Sequence, residues 1–293
     1  MPGIGIGIGI GFHRPTPPKV KFDLLENGLD FVNEALHAIN ATSNHKRLKY
    51  SIIHLCSGIE LIFKEILIKK DWKLIFNDPA EAKEELLQTG NFDSVTFNQA
   101  INRLENKCKV TIDQDDKKVL SELRKKRNRI EHFKMDETVS AIKSMCSDVL
   151  NFLIPFIDQN IDTNKVSQIS KKYIDNLPSE LSKFSVYVTK RNQRIKSSSE
   201  KKLSKGLTVI KCPRCFQKEF FIDEHLKCLF CNYTSTPESI VLEYNKVFDS
   251  NNIISKKCES CNSPTIIPIE DKTVCISCRK IFVTAAASGE KSQ

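Results

Sequence analysis

Residues 46–70 read KRLKYSIIHLCSGIELIFKEILIKK. Leu48, Ile52, Leu55, Ile59, Ile62 and Ile66 recur at steps of three and four, the period of an α-helix and not the period of two that a strand needs. Leu61 and Phe63 widen that seam. A helix this apolar must be covered by other helices, so its neighbours decide the architecture.

Those neighbours are present. Upstream, Leu25, Leu29, Val32, Leu36 and Ile39 form one apolar stripe. Downstream, Phe97, Ile101, Leu104 and Cys108 mark a third core helix, and a fourth runs from about 114 to 134 after turn-forming aspartates. A fifth carries Val139, Ile142, Cys146, Val149, Leu153 and Phe156, with Pro155 expected to kink its end. The stretch 71–93 is less regular, with a short exposed helix expected near 80–88. The pattern predicts an all-α helical bundle over 21–160. Cys56, Cys108 and Cys146 lie at apolar-face spacing and read as buried small hydrophobes.

The flanks differ. Residues 1–20 hold a Gly-Ile repeat and then Pro15, Pro17 and Pro18; with no polar face and high backbone entropy they read as a disordered leader. Residues 161–207 read as a basic linker with one possible helix at 165–181. Phe184, Val186 and Val188 alternate as a short strand would, and Ser197, Ser198 and Ser199 among lysines read as a flexible link.

Cysteine usage sets the rest of the chain apart. Eight of eleven cysteines form four Cys-x-x-Cys pairs beyond residue 211. Cys212/Cys215 and Cys228/Cys231 are separated by twelve residues, Cys258/Cys261 and Cys275/Cys278 by thirteen, and the units are offset by 46 or 47. One module is used twice. Each turn points two thiolates at one ion, and two turns joined by a hairpin close a four-thiolate shell. This predicts two small β zinc-ribbon modules, at 208–250 and at 251–293 with a tail, each with a structural Zn2+ and hairpin strands near 219–222 and 265–267. Such a shell leaves no open position, so no catalytic metal is expected. Disulfides lack an oxidising-compartment signal, and a thioredoxin-like site lacks its βαβ context. Sequential pairing is preferred because each unit carries its own hairpin; a crossed arrangement stays open at this point.

Composition and charge narrow the function. The 293 residues are 40% hydrophobic and 28% charged, which argues against a wholly disordered or fibrous chain. Apolar runs such as Ile66-Leu67-Ile68 fall far short of the ~18–20 residues of a membrane span. With no basic-then-apolar leader either, a cytoplasmic protein is expected, with no membrane partner. Residues 1–160 carry 23 basic and 22 acidic side chains; residues 161–293 carry 22 and 14. Most of that surplus lies in 183–211, where Glu200 is the single acid. Lys190, Arg191, Arg194, Lys196, Lys201, Lys202, Lys205, Lys211 and Arg214 are therefore the candidate nucleic-acid contacts. Phe216, Phe220 and Tyr233 offer stacking faces suited to a single strand, or they cover a small core. Protein contact through the ribbons competes with nucleic acid.

The fourth helix holds an anomaly. It ends LRKKRNRIEHF at 123–133, and its seam steps through Leu120, Leu123, position 127 and Ile130. Position 127 should be apolar and is Arg. A guanidinium stays charged and is expensive to bury alone, so an anion or a second subunit's acid should meet it.

Here the chain resembles the HEPN domain superfamily, whose nucleases carry Arg-x4–6-His, often with a polar residue after the Arg. Arg127, Asn128 and His132 have that form. Residues 52–67, IIHLCSGIELIFKEIL, look like the family's second helix. The resemblance covers about 21–160. Arg47 and His54 also fit the bare spacing; Asn128, the helix context and the seam position single out the 127/132 pair. His54 reads as a packed histidine.

The resemblance implies a dimeric, metal-independent endoribonuclease acting on RNA, tRNA among the options. One His132 would take the ribose 2′-OH proton and another would protonate the leaving 5′-oxygen. Arg127 would stabilise the phosphorane oxygens, and Asn128 would hold the imidazole or the phosphate. Products would be 2′,3′-cyclic phosphate and 5′-OH ends. Five residues along a helix differ by about 140° in direction. Arg127 and His132 therefore need a helix end, a distortion or a homodimer to meet. Glu60, inside an apolar stretch, would hold Arg127 or else point to solvent beside Lys64. Proteins of this kind often act as toxins or antiviral (phage-defence) effectors restrained by an antitoxin or regulatory protein. The alternative is a non-catalytic dimer that presents its ribbons as a sensor or regulator.

Overall fold

The computed structural model describes residues 19–41, 44–248, 257–269 and 272–283. Nearly all of the expected leader, and the tail beyond 283, lie outside them. Among the described residues are nine α-helices and six short strands.

The first helix, α1 (Leu24–Asn40), starts where Asp23 and Glu26 form a reciprocal capping box. Its predicted stripe is buried along its whole length. It pairs with α2 (Leu48–Lys70) as a helical hairpin, whose closest approach lies at Gly28 and Gly58. A Cβ on Gly58 would lie 2.8 Å from the Gly28 carbonyl oxygen. In α2, Leu48, Ile52, Leu55, Ile59 and Ile62 are buried as expected, and Phe63 and Leu67 join them while Ile66 is only partly covered.

The helix α4 (Phe97–Cys108) is capped by Thr96 and Gln99, and α6 (Val139–Asn160) by Thr138. Phe63 of α2 packs against Phe97 and Phe156, with ring centroids 5.6 and 5.1 Å away. The short α3 (Glu84–Thr89) follows two 3-10 turns, so the stretch 71–93 is irregular as anticipated. Arg103 braces it by donating to the carbonyls of Leu74, Phe76 and Asn77. Between α4 and α6 lies α5 (Gln114–His132), with Asp113 as its cap. Pro155 lies inside α6, which continues to Asn160. By length and composition α6 could cross a membrane, but most of it is buried in this core.

Within the expected linker at 161–207, the helix anticipated at 165–181 is α7 (Gln168–Ser182), and a second helix, α8 (Ser185–Ser204), follows it where a strand and a flexible link were expected. Neither a strand at 184–188 nor a flexible link at 197–199 exists. Tyr187, Arg191, Ile195 and Ser199 make the buried stripe of α8. Two of these four are polar, which hid the helical period. Three hydrogen bonds tie α7 to α1, from Asn40 to the Glu180 carbonyl, from Ser167 to Glu26 and from Tyr173 to Asp30.

Two small antiparallel sheets close the chain. The first has order β1 (Val209–Ile210), β2 (Phe220–Phe221), β3 (Lys227–Cys228), with Phe220 opposite Cys228. The second has order β4 (Ile266–Ile269), β5 (Lys272–Cys275), β6 (Ile281–Val283), with Ile267 opposite Val274. Between them the sequence hid one more helix, α9 (Pro237–Phe248), which buries Ile240 and Val241. Its signal was present in Thr236-Pro237, a capping hydroxyl followed by proline at the first helical position.

Candidate functional site

Each Cys-x-x-Cys turn is built the same way. The residue after the second cysteine takes a left-handed conformation: Phe216, Asn232, Asn262 and Arg279, with φ of 61, 63, 60 and 64°. Each of these donates its N–H to the carbonyl of the first cysteine, at 2.7–2.9 Å. Each first cysteine in turn donates to the residue five positions on, closing the loop. Phenylalanine and arginine do not adopt this region cheaply, and the two main-chain bonds that close each turn hold them there.

The thiols meet in two groups, Cys212, Cys215, Cys228, Cys231 and Cys258, Cys261, Cys275, Cys278. Pairing is sequential, not crossed. Sulfur separations of 3.7 Å for Cys212–Cys231 and for Cys215–Cys228, and 3.6 Å for Cys258–Cys278 and for Cys261–Cys275, recur in both. A tetrahedral ion at about 2.3 Å from each sulfur would set that edge near 3.8 Å, so the geometry fits a bound metal ion. The groups differ in access: the first is wholly buried, whereas Cys261 is exposed and Cys278 half-buried in the second.

The second candidate lies on α5 against α2. Arg127 Nη1 donates to Glu131 Oε2 at 2.8 Å, and its Nη2 lies 4.0 Å from Glu60 Oε2. Glu60 also takes a 2.7 Å bond from Lys64, whose ammonium reaches Ser94 Oγ at 2.9 Å. Glu60 thus lies beside Lys64 and within 4.0 Å of Arg127. Burial works against the Arg127 charge; Cys56 and Glu131 outweigh it and hold the guanidinium above its ordinary pKa. The nearby Cys56 thiol is pushed up, chiefly by burial. The Arg127 Nε is buried and has no partner among the described residues. Glu131 was the missed partner, and its position four residues after Arg127 was the available signal.

His132 is exposed at the last residue of α5, with Asn128 exposed one turn before it and Phe133 76% exposed after it. Because α5 stays helical through His132, one chain does not bring Arg127 and His132 together. His54 packs beside Phe31 and Tyr50, as expected.

The candidate nucleic-acid residues divide in two. Four are tied into the fold. Lys190 bridges to Asp148 at 2.7 Å. Arg191 is buried and donates to the Phe230 and Leu229 carbonyls. Lys202 pairs with Asp223. Arg214 pairs with Asp175 and Glu243 and lies over the Tyr233 ring. The other five, Arg194, Lys196, Lys201, Lys205 and Lys211, are exposed. Phe220 is fully buried, so it serves the small core and is not a stacking face.

No family profile, curated protein or solved structure matches the chain.

Proposed function

We propose that the chain is a HEPN-type endoribonuclease that works as a homodimer, with two structural zinc ions in its cysteine modules. The observation that carries this reading is Arg127. It is a charged side chain on an inward seam, bonded to Glu131 and near Glu60, with about a quarter of its surface still open for contact with an anion. Asn128 and His132 stand beside it on open surface at the end of the same helix. A two-fold axis along this face would bring each Arg127 towards the other chain's His132. Exposed Phe133 would supply apolar surface for that contact.

In that dimer one imidazole removes the 2′-OH proton while the other protonates the departing 5′-oxygen. Arg127 donates to the phosphorane oxygens as their charge grows. The 2′-oxygen attacks phosphorus, the bond to the 5′-oxygen breaks, and the products carry 2′,3′-cyclic phosphate and 5′-OH ends. The cysteine shells, full with four thiolates each, hold structure and offer no open coordination position. The resemblance suggests a toxin or antiviral role under a restraining partner.

Purified protein incubated with total tRNA and with a DNA control tests the reading. RNA alone should be cut, without added divalent metal, and His132→Ala or Arg127→Ala should lower the rate at least ~100-fold. A second reading, a binding module without catalysis, draws on the ion pairs that already satisfy much of Arg127 within one chain. It gains if neither wild type nor variant cuts while both bind tRNA.

A further inference from the structure

The exposed face of α8 has an order that composition alone did not reveal. Its inward stripe is Tyr187, Arg191, Ile195 and Ser199, and exposed Arg194, Ser198 and Lys201, with Lys205 at the C-cap, follow at steps of four, three and four along one flank of that stripe. From Arg194 to Lys205 that line covers about 16 Å at the helical rise. It leads into a cleft of about 470 Å³ between the C-terminal end of α8 and both cysteine modules. Lys201 and Lys205 form one wall, Asp223 and His225 of the β2–β3 turn another, and Arg279 of the last cysteine turn a third.

Charge in the cleft is unbalanced. Lys202 is committed to Asp223 and lies over the Phe221 ring at 5.5 Å. Burial works against the Asp223 charge, and the Lys202 ammonium, with the His225 N–H, outweighs it and keeps the carboxylate below its usual range. Lys201, Lys205 and Arg279 make no ion pair among the described residues, and among the described residues that line the cleft Glu224 is the one acid besides Asp223. Lysines in a last helical turn complement the helix dipole, which accounts in part for Lys201 and Lys205. It accounts neither for Arg194, three turns back, nor for Arg279, brought from a separate module by the left-handed turn after Cys278.

We propose that this cleft and the α8 line leading into it bind the phosphodiester backbone of a single-stranded RNA. A row of cations about 16 Å long matches several successive phosphates better than one small anion. The cleft volume falls within the ~300–1,000 Å³ range of ligand sites, room enough for a short length of a single backbone. The choice of RNA over DNA rests on the ribonuclease reading; the site itself does not. Arg279 and His225 extend the contact to residues outside the expected basic segment.

The test is fluorescence anisotropy with a labelled 15-nucleotide single-stranded RNA, using full-length zinc-loaded protein carrying His132→Ala so that the probe stays intact. Lys201→Glu with Lys205→Glu should weaken binding at least ~10-fold and flatten the log–log salt dependence by about one to two units. Arg279→Glu alone should weaken it about threefold or more. The charge-matched pair Lys118→Glu with Lys165→Glu, both on exposed surface, should stay within about twofold. Unchanged circular dichroism and metal content keep the comparison valid, and Lys205→Ala serves as the milder variant.

Equal weakening by the control pair overturns the site. So does polyglutamate competing as well as unlabelled RNA, which marks an acidic protein as the partner. Displacement by millimolar inorganic phosphate at constant ionic strength also overturns it, by marking a lone-anion site. Cleavage of the same RNA by the unmutated protein is scored separately. Binding at this cleft without cleavage sinks the ribonuclease reading and leaves the site, whereas cleavage with binding indifferent to these residues does the reverse.

Discussion

Arg191 Nε donates to the carbonyl oxygen of Phe230 at 2.8 Å, and its Nη2 to that of Leu229 at 3.1 Å. A buried guanidinium on α8 thus fastens the first cysteine module to the helical body through its main chain. Tyr187 lies one turn away, its ring meeting Phe230 edge-on at 5.7 Å. The contact makes the most basic segment of the chain structural on one face and free on the other.

Replacing Arg191 by Ala should cost about 2–4 kcal/mol of stability, because two buried carbonyls lose a charged donor. Urea unfolding followed by circular dichroism measures it. The salt dependence of RNA binding should not move, which separates Arg191 from exposed Lys201.

Gly58→Ala should cost about 1–3 kcal/mol, since its methyl would meet the Gly28 carbonyl, a backbone atom that cannot swing aside. Gly90→Ala, at φ +70° with nothing within 4 Å, should cost only the strain of its conformation, about 1 kcal/mol. Thermal melts of the two variants, side by side, give the ranking.

Metal should leave the two modules at different rates. The first group is wholly buried, and in the second Cys261 is exposed. Chelator challenge of the zinc-loaded protein should therefore release one equivalent quickly and a second slowly. Cys261→Ser should remove the fast equivalent alone, as read by a colorimetric zinc indicator; a single release phase in the wild type would contradict this.

Acid should loosen the α1–α7 contact. The Ser167 hydroxyl, then the Asp23 N–H, favour ionised Glu26 and hold its pKa below the ordinary 4.5. A depressed carboxylate stabilises the fold fully above its unfolded value, and that contribution fades as pH drops through the folded value. Stability should thus fall as pH goes from about 5 downward, and Glu26→Gln should flatten that part of the curve. Denaturation midpoints at pH 6 and below supply the comparison.

The helices of the bundle were legible because their stripes are almost purely apolar, as in α1, where every expected position is buried. The cysteine modules were legible because spacing alone encodes a tetrahedral shell. Much of what escaped notice involves polar side chains with partners inside the fold. Arg191 and Ser199 broke the α8 stripe and made a packed helix look like a linker. Three of the four tied basic residues, Lys190, Lys202 and Arg214, looked like free cations because their acids, Asp148, Asp223, Asp175 and Glu243, lie at least 21 residues away in sequence. The α5 motif was legible as residue types and not as an arrangement, since one continuous helix keeps Arg127 and His132 apart.

The bonds from α7 to α1 span 140, 141 and 143 residues. During synthesis α1 is made well before α7, and the side chains that complete it arrive roughly 7–30 s later, at ~5–20 residues per second. Until then the α1 flank facing α7 stays open to other proteins. The newborn chain therefore depends on late-arriving residues, and a ribosome stalled before α7 would leave a bundle with one uncovered side.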